Sequence, residues 1–248
     1  MSLRWAWAFL TRLPGGAHPE TERDLGRSVP WFPVVGAVVG ALSGGVYWAL
    51  HGSFGAPLAA VLAVAVGAVV TGCLHEDGLA DTADALGGAS RERRLEIMKD
   101  SRVGAFGVLA LVLSTLVRVF AVSSLTPVDA LLALVVAHML GRTMAVAVMG
   151  AAPAASGTGL GHGYSAHLPR AWTMVAVVAS SAVAASLGLA GAVSLAAAAA
   201  GAAFVGLIAW RAFGGTTGDI LGTAEQMAEM AVLLSAAALA STHGWSWI

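Results

Sequence analysis

Long apolar segments alternate with short polar ones along the whole chain. A membrane-spanning helix needs about 20 predominantly apolar residues. Stretches of this kind lie at 31–50, 57–75, 103–125, 128–149, 172–190, 191–209 and 224–240. The stretches 172–190 and 191–209 meet with almost no loop, and the last one is short and carries Glu229 near its start. The pattern therefore predicts an all-α fold, a polytopic integral membrane helical bundle with six to seven transmembrane helices.

The amino-acid composition favours a surface that faces lipid. Of the 248 residues, 58% are hydrophobic and 11% are charged, whereas an ordinary soluble domain has roughly 25% charged residues. The mean hydropathy is +0.80, so polar side chains are too few to cover a water-exposed surface. Gly and Ala recur through the apolar stretches and permit close helix packing in lipid. The composition is uniform, and we predict a single transmembrane catalytic domain over residues 1–248.

Charge and cysteine content exclude several kinds of protein. The formal net charge is −1, so no basic field indicates a nucleic-acid partner. Cys73 is the single cysteine, which excludes an internal disulfide and leaves oxygen or imidazole as the ligands of any metal. The N-terminal segment MSLRWAWAFLTRLP has a short apolar core between Arg4 and Arg12 and no small-residue cleavage site. We interpret it as an interfacial segment rather than a signal peptide.

Basic residues concentrate on one side of the predicted topology. They precede the first span, occupy the loop 76–102 and end the later loops on that side: Arg4, Arg12, Arg23, Arg27, Arg91, Arg93, Arg94, Lys99, Arg102, Arg170 and Arg211. The opposite loops, near 51–56, 126–127 and 190, contain neither Lys nor Arg. The positive-inside rule then predicts that the N-terminus and the long polar loops are cytoplasmic.

A few ionisable residues remain within the predicted spans. They are Arg118, Asp129, His138, Arg142 and Glu229. Asp129 and Glu229 lie nearer to span ends, whereas Arg118 and Arg142 are set more deeply. Ionisable residues at such depth usually face the interior of a bundle or a polar cavity. For the two arginines, structural pairing and contact with an anionic substrate are equally good interpretations.

The segment HEDGLADTADALGG, residues 75–88, carries a stripe of carboxylates. Asp77, Asp81 and Asp84 are spaced i, i+4, i+7, which places them on one helix face, with Glu76 about 100° away. Such a stripe is unfavourable without a compensating cation, and Mg²⁺ prefers oxygen ligands and commonly bridges carboxylates to phosphates. A solvated helix start would explain Glu76 and Asp77 but not the two aspartates that follow. The spacing therefore predicts a site for a metal ion and a phosphate.

A second polar segment, RERRLEIMKDSRVGAFG, covers residues 91–107. Lys99 and Arg102 flank Asp100 immediately before a span, where they could hold a pyrophosphate at the membrane surface. Taken alone, a basic run at this place is usually explained by topology and attraction to lipid. The neighbouring aspartate stripe strengthens the interpretation as a pyrophosphate site.

Two further polar segments are rich in glycine. In FGGTTGDILGTAEQ, residues 213–226, Thr217 and Asp219 offer oxygens beside glycines that allow close approach of a ligand, although a plain helix–helix turn has the same composition. The loop 152–170 holds His162 and His167, which we expect to face solvent rather than to bind a metal.

Taken together, these segments resemble the cobalamin synthases, also called adenosylcobinamide-GDP ribazoletransferases. The resemblance rests on FLTRLP at 9–14, WFPVVGAVVG at 31–40, HEDGLADTADALGG at 75–88, IMKDSRVGAFG at 97–107 and GGTTGDILGTAEQ at 214–226, in that order. It implies an Mg²⁺-dependent membrane enzyme that joins adenosylcobinamide-GDP to α-ribazole or its 5′-phosphate and releases GMP. Assembly into a homo-oligomer stays open.

The resemblance also implies roles for individual residues. The expected metal ligands are Glu76, Asp77, Asp81, Asp84 and Asp100. Asp84 is the expected proton acceptor, with His75 as the alternative, and the expected substrate-binding residues are Lys99, Arg102, Thr217 and Asp219. Two positions depart from the family pattern: Ala85 stands where glycine is expected, and AAPAASGTGLG lacks the charged residues expected before its glycines.

Two other classes of protein share some of these features. A CDP-alcohol phosphotransferase would also use aspartates and Mg²⁺ at a membrane face, but its motif, D-x2-D-G-x2-A-R, is not matched by DTADALGG. An ion-coupled transporter should carry its acidic residues deep within its spans. Here they collect in loops on one side, which favours an enzyme.

Overall fold

The computed structural model describes residues 2–17, 21–155 and 167–243, and this part of the chain is helical without strands. The predicted all-α fold is therefore confirmed. The helices are α1 (Ser2–Leu10), α2 (Glu22–Ser28), α3 (Phe32–Thr71), α4 (Leu74–Ala85), α5 (Arg91–Ile97), α6 (Ala105–Ser123), α7 (Pro127–Ala151), α8 (Arg170–Ala185), α9 (Gly188–Ile208) and α10 (Gly218–His243). A 3₁₀ turn, Val29–Trp31, precedes α3, and a π-helical turn, Ala209–Phe213, follows α9.

The long helix α3 is folded back on itself at Gly55. This residue has φ 75° and ψ 164°, a backbone conformation that glycine adopts most readily. The Ser43 hydroxyl donates to the Ala63 carbonyl at 2.7 Å, whereas in a straight helix these residues would lie about 30 Å apart. The two arms, 32–54 and 56–71, are therefore antiparallel and correspond to the first two predicted spans.

Several helices are suited to a membrane. Within the described residues, four helical segments are long and apolar enough to cross one: Arg23–Thr71, Ala105–Ser123, Pro127–Ala151 and Gly188–Phe213. The helix α8 is apolar but shorter. These segments support a membrane protein, while the predicted number of six to seven transmembrane helices is not confirmed.

Helix α7 lies at the centre of the bundle and packs most extensively on α3. The first arm of α3 presents Gly36, Gly40 and Gly44 at four-residue intervals to α7, so close that an added Cβ would collide with the backbone of α7. Small residues at this spacing allow helix backbones to approach closely in lipid, where dispersion contacts drive association. The core consequently forms around buried residues of α7 such as Leu134 and Leu140.

The N-terminal helix α1 packs where α7 ends and α10 begins. Phe9 stacks on Phe32 with ring centroids 5.8 Å apart, and both belong to a cluster that includes Met149 and Leu221. The Arg12 amide donates to the Val70 carbonyl at 2.7 Å, which joins this segment to the end of α3. The interfacial location of α1 stays a prediction.

Helix α4 is short and begins at a sharp break. Gly72 and Cys73 both have left-handed backbone angles, with φ 65° and 57°, and they separate α4 from the second arm of α3. From this break α4 runs alongside α6 and α10 and packs against both. Its position between these two helices determines which of its acidic residues meet one another.

Candidate active site

The aspartates of α4 meet the start of α10. Gly78 makes this possible, because an added Cβ would lie 2.7 Å from the Asp219 carbonyl oxygen and the two backbones could not then approach as they do. The Thr223 hydroxyl donates to the Gly78 carbonyl at 3.0 Å and fixes the crossing. Asp219 is thereby brought close enough to Asp77 and Asp81 for their charges to interact, although about 140 residues separate them along the chain. We call Asp77, Asp81 and Asp219 the acidic cluster.

The electrostatics of Asp81 reflect this crowding. Burial, together with repulsion from Asp77, Asp219 and Asp84, raises the pKa of Asp81 to about 6. Carboxylates that repel one another to this extent gain free energy when a cation or a proton joins them. The donors are oxygens, as a hard divalent cation prefers, so the cluster fits Mg²⁺ in its chemistry.

Asp84 is engaged differently from the acidic cluster. Its two carboxylate oxygens accept hydrogen bonds from the Gly104 amide at 2.7 Å and the Gly107 amide at 2.9 Å, at the N-terminus of α6. Amide groups at a helix start lack intrahelical acceptors, and a carboxylate there also meets the positive end of the helix dipole. Side chains at the two glycines would collide with this carboxylate. Asp84 retains unused lone pairs, so its metal-ligand role stays a prediction.

Glu76 and His75 point away from the acidic cluster into the bundle. The Arg118 guanidinium of α6 donates to Glu76 Oε1 at 3.0 Å. His75 Nδ1 lies 3.4 Å from Arg142 Nη2 and 3.8 Å from Glu225 Oε2. Both side chains therefore contact the buried arginines, and their roles as metal ligand and as base stay predictions.

A buried ion network surrounds these two residues. Arg118 and Arg142 lie 3.5 and 3.4 Å from the Glu229 carboxylate, and His138 Nδ1 lies 3.0 Å from the same group. Arg142 also donates to Glu225. Of the two interpretations of the deep arginines, the structure favours structural pairing, since each guanidinium is bound by carboxylates of the bundle.

Part of this network resembles a metal site in its composition. Ligand atoms of His138, Glu225 and Glu229 lie within 4.8 Å of one another. However, Arg142 Nη1 contacts all three of these residues, so a guanidinium already supplies the positive charge there. A metal ion at this position would be repelled by it.

Sequence reasoning missed the network partners on α10. Glu225 and Gln226 were not singled out, yet Gln226 Nε2 lies 3.0 Å from Glu225 Oε2 and 3.5 Å from Glu76 Oε1. A signal was present, because Glu225 and Glu229 are spaced i, i+4 in an apolar helix while Arg118 and Arg142 need partners at similar depth.

Asp100 and Arg102 bind each other rather than the carboxylates of α4. Arg102 Nη2 donates to Asp100 Oδ2 at 2.6 Å and Nε to Oδ1 at 3.0 Å. These hydrogen bonds lower the pKa of Asp100 to about 2, and the Arg102 side chain is 86% exposed. Lys99, beside them, is exposed as well. Roles for the three in binding metal or pyrophosphate stay predictions.

The glycine-rich segment before α10 supports Asp219. The Thr217 hydroxyl lies 3.4 Å from Asp219 Oδ2 and accepts from the Ile220 amide at 3.3 Å, as a residue preceding a helix commonly does. Arg91 of α5 donates to the Ala155 carbonyl at 3.1 Å, and residues 153–155 pair with Thr216. The basic helix is therefore attached to the segment that carries Thr217.

Only the two ends of the loop 152–170 belong to the described residues. His162 and residues 156–166 around it lie outside the described residues. His167 is described and is exposed.

Comparison with known proteins identifies the family. The model of the family described as cobalamin-5-phosphate synthase matches residues 2–237. An adenosylcobinamide-GDP ribazoletransferase of Bradyrhizobium diazoefficiens is 41% identical, over 95% of this chain and 93% of that protein. Proteins of the same name from Mesorhizobium japonicum and Citrobacter koseri are 40% and 38% identical, over 94% of this chain and 92% and 98% of their own lengths. No solved structure matches the chain. The resemblance seen in the motifs is thus confirmed, and the chain belongs to the cobalamin-5-phosphate synthase family.

Proposed function

We propose that this chain is an adenosylcobinamide-GDP ribazoletransferase, which joins adenosylcobinamide-GDP to α-ribazole or its 5′-phosphate and releases GMP. The family match over nearly the whole chain and the names of its relatives support this activity. The observation that carries the proposal is the convergence of Asp219 with Asp77 and Asp81 at the crossing of α4 and α10. The chain is thereby equipped for chemistry on a phosphate.

Mg²⁺ is the cofactor we assign to the acidic cluster. Asp77, Asp81 and Asp219 would hold it, because their mutual repulsion and their oxygen donors suit a hard divalent cation. When bound, Mg²⁺ supplies charge neutralisation on the pyrophosphate, as it does in many phosphoryl transfers.

The chain's own residues then have distinct tasks in the transfer. A ribose hydroxyl of the acceptor attacks the phosphorus attached to cobinamide, a new phosphorus–oxygen bond forms, and the bond to the bridging oxygen of GMP breaks. The proton of that hydroxyl goes to a carboxylate. A carboxylate of the acidic cluster is better placed than Asp84 to receive it, because both Asp84 oxygens already accept hydrogen bonds from amides.

The basic residues on this side would bind the substrate. Lys99 and Arg102 are exposed near the start of α6, where they can meet the charged pyrophosphate. Arg102 would exchange its present partner, Asp100, for the phosphate oxygens. Thr217 adds a hydroxyl next to Asp219.

We further propose that the protein spans the plasma membrane several times with the acidic cluster on the cytoplasmic side. The support is the distribution of Lys and Arg and the four apolar helical segments. Single cysteines at Ser53 and Ser101, in a Cys73→Ser background, test the orientation in spheroplasts. An impermeant maleimide should label Ser53→Cys from outside and Ser101→Cys only after permeabilisation, and the reverse pattern would contradict the proposal.

A transfer assay on detergent-purified protein tests the activity. Adenosylcobinamide-GDP and α-ribazole 5′-phosphate are supplied with Mg²⁺ or with EDTA, and GMP and the corrinoid product are measured. Metal-dependent release of GMP with formation of a joined corrinoid supports the proposal. Well-folded protein that releases no GMP would contradict it, and CDP-linked donors should then be tried with the same preparation.

A further inference from the structure

We infer that Glu76 and Asp84 are positioning residues that fasten α4 to α6 at two heights, leaving Asp77, Asp81 and Asp219 to face metal and substrate. The inference rests on the proposed function, because that function supplies the metal and the substrate. It divides the acidic residues of α4 into two groups, which the sequence alone had placed together as metal ligands. The division follows from what each carboxylate contacts.

The inner fastening is the ion pair between Glu76 and Arg118. Its oxygen and nitrogen lie 3.0 Å apart, and the two side chains are only 12% and 4% exposed. Gln226 lies 3.5 Å from the same Glu76 oxygen, on the side of α10. Separating a buried pair leaves charges without compensation, so this contact strongly resists movement of α4 away from α6.

The outer fastening is the hydrogen bonding of Asp84 to the start of α6. Its two oxygens accept from two different amides, those of Gly104 and Gly107. Gly107 is buried and close to the Ala80 carbonyl as well, so the helices touch here through backbone atoms. Each oxygen of the carboxylate therefore has one lone pair engaged by an amide of α6.

The two fastenings follow the antiparallel arrangement of α4 and α6. Glu76 and Asp84 lie about 12 Å apart along α4, and Arg118 and Gly107 lie about 16 Å apart along α6, in antiparallel order. One contact would allow α4 to pivot, whereas two contacts at different heights fix both its tilt and its position along α6. Along α4, Asp77 and Asp81 lie between Glu76 and Asp84, and their charges interact with that of Asp219 on α10.

Isosteric substitutions separate a positioning role from a ligand role. Glu76→Gln keeps an acceptor for Arg118, and Asp84→Asn keeps an acceptor for one of its two amides. Both remove a negative charge, which would weaken binding of a divalent cation if the residue were a ligand. Asp77→Asn makes the same change within the acidic cluster, and Glu96→Gln makes it at an exposed carboxylate of α5.

The experiment measures Mn²⁺ binding by electron paramagnetic resonance and turnover per folded molecule, on the full chain in detergent. Asp77→Asn should weaken Mn²⁺ binding about tenfold or more, while Glu76→Gln and Asp84→Asn stay within about threefold of the unsubstituted chain. Asp84→Asn should nevertheless lower turnover at saturating Mg²⁺ by about tenfold, because the cluster is misplaced relative to the substrate. Glu96→Gln should change neither quantity.

Three results would overturn the inference. Loss of Mn²⁺ affinity in Asp84→Asn or Glu76→Gln, equal to that in Asp77→Asn, would make these residues ligands. A lower melting temperature with normal turnover per folded molecule would make Asp84 a stabilising residue only. Failure of the unsubstituted chain to bind Mn²⁺ would contradict the ligand assignment, even if GMP is released. The binding measurement needs no corrinoid, so an unsubstituted chain that binds Mn²⁺ without releasing GMP contradicts the proposed function alone.

Discussion

Glu76 on α4 and Arg118 on α6 form a buried ion pair with a separation of 3.0 Å. They are 42 residues apart in the sequence, and their contact holds α4 and α6 together inside the bundle. Arg118 also lies 3.5 Å from Glu229 on α10, so one guanidinium connects three helices. The residues of the acidic cluster lie on two of these helices, α4 and α10.

Removal of this guanidinium should destabilise the protein. In Arg118→Met, the Glu76 carboxylate loses its cationic partner inside the bundle, and we expect a loss of about 3–5 kcal/mol in the free energy of unfolding. The measurement is reversible unfolding in detergent. Adding Glu76→Gln to Arg118→Met removes the uncompensated charge and should restore part of the loss. A single variant as stable as the unsubstituted chain would contradict the structural importance of the pair.

Loss of the Asp81 carboxylate should abolish transfer. Asp81 lies in the acidic cluster beside Asp77 and Asp219, so Asp81→Ala is expected to lower GMP release at least about 100-fold while the protein still inserts into the membrane. Glu96→Gln, at a side chain that is 66% exposed, serves as the matched control and should keep full activity. Normal activity in Asp81→Ala would remove the metal hypothesis.

The pKa of Asp81 predicts a dependence on pH. Burial and carboxylate repulsion raise it from 3.8 to about 6, so ionisation is less favourable in the folded protein than in the unfolded chain. Without metal, the stabilising contribution of the protonated group is present below pH 3.8 and is lost as the pH rises to about 6. Stability measured against pH in EDTA should show this decrease, and Asp81→Asn should remove it.

Metal binding should show the opposite trend with pH. A proton and a divalent cation compete for the same oxygens, so Mn²⁺ affinity should fall as the pH drops below about 6. Titrations at several pH values give this dependence. An affinity that is constant between about pH 5 and 7 would mean that Asp81 does not contribute to the metal site.

The crossing of α4 and α10 should not tolerate a side chain at Gly78. In Gly78→Ala the new Cβ would meet the Asp219 carbonyl at 2.7 Å, and backbone cannot yield as a flexible side chain can. We expect transfer to fall at least about tenfold because Asp219 is displaced from Asp81. Gly45→Ala is the control, since nothing lies within 4 Å of an added Cβ there, and it should retain activity. Equal activity of the two variants would argue against the close crossing.

The sequence predicted the acidic stripe because the repeat of a single helix is a local property. Asp77, Asp81 and Asp84 share a face wherever the helix packs. The sequence could not tell that Asp84 would meet the start of α6, or that Asp219 would join the other two. Those contacts depend on the partner helices. The need for glycine at position 78 follows only from its close packing against the Asp219 backbone.

The polar residues of α10 show a second limit of prediction. Glu225 and Glu229 lower the hydropathy of this helix, so the sequence predicts only a short span, 224–240, there. In the structure their charges are compensated by Arg142, Arg118 and His138 from neighbouring helices. Hydropathy evaluates one segment at a time and cannot include such compensation.

The fold-back at Gly55 also bears on how the chain enters the bilayer. The two arms of α3 are joined by a tight reversal, and the Ser43 hydroxyl is bonded to Ala63 within the same hairpin. The pair can therefore leave the translocation channel as one unit, with this polar group already satisfied before α7 is synthesised. Gly36, Gly40 and Gly44, which pack against α7, then lie on a hairpin that is already formed. The bundle can therefore be assembled in the order of translation.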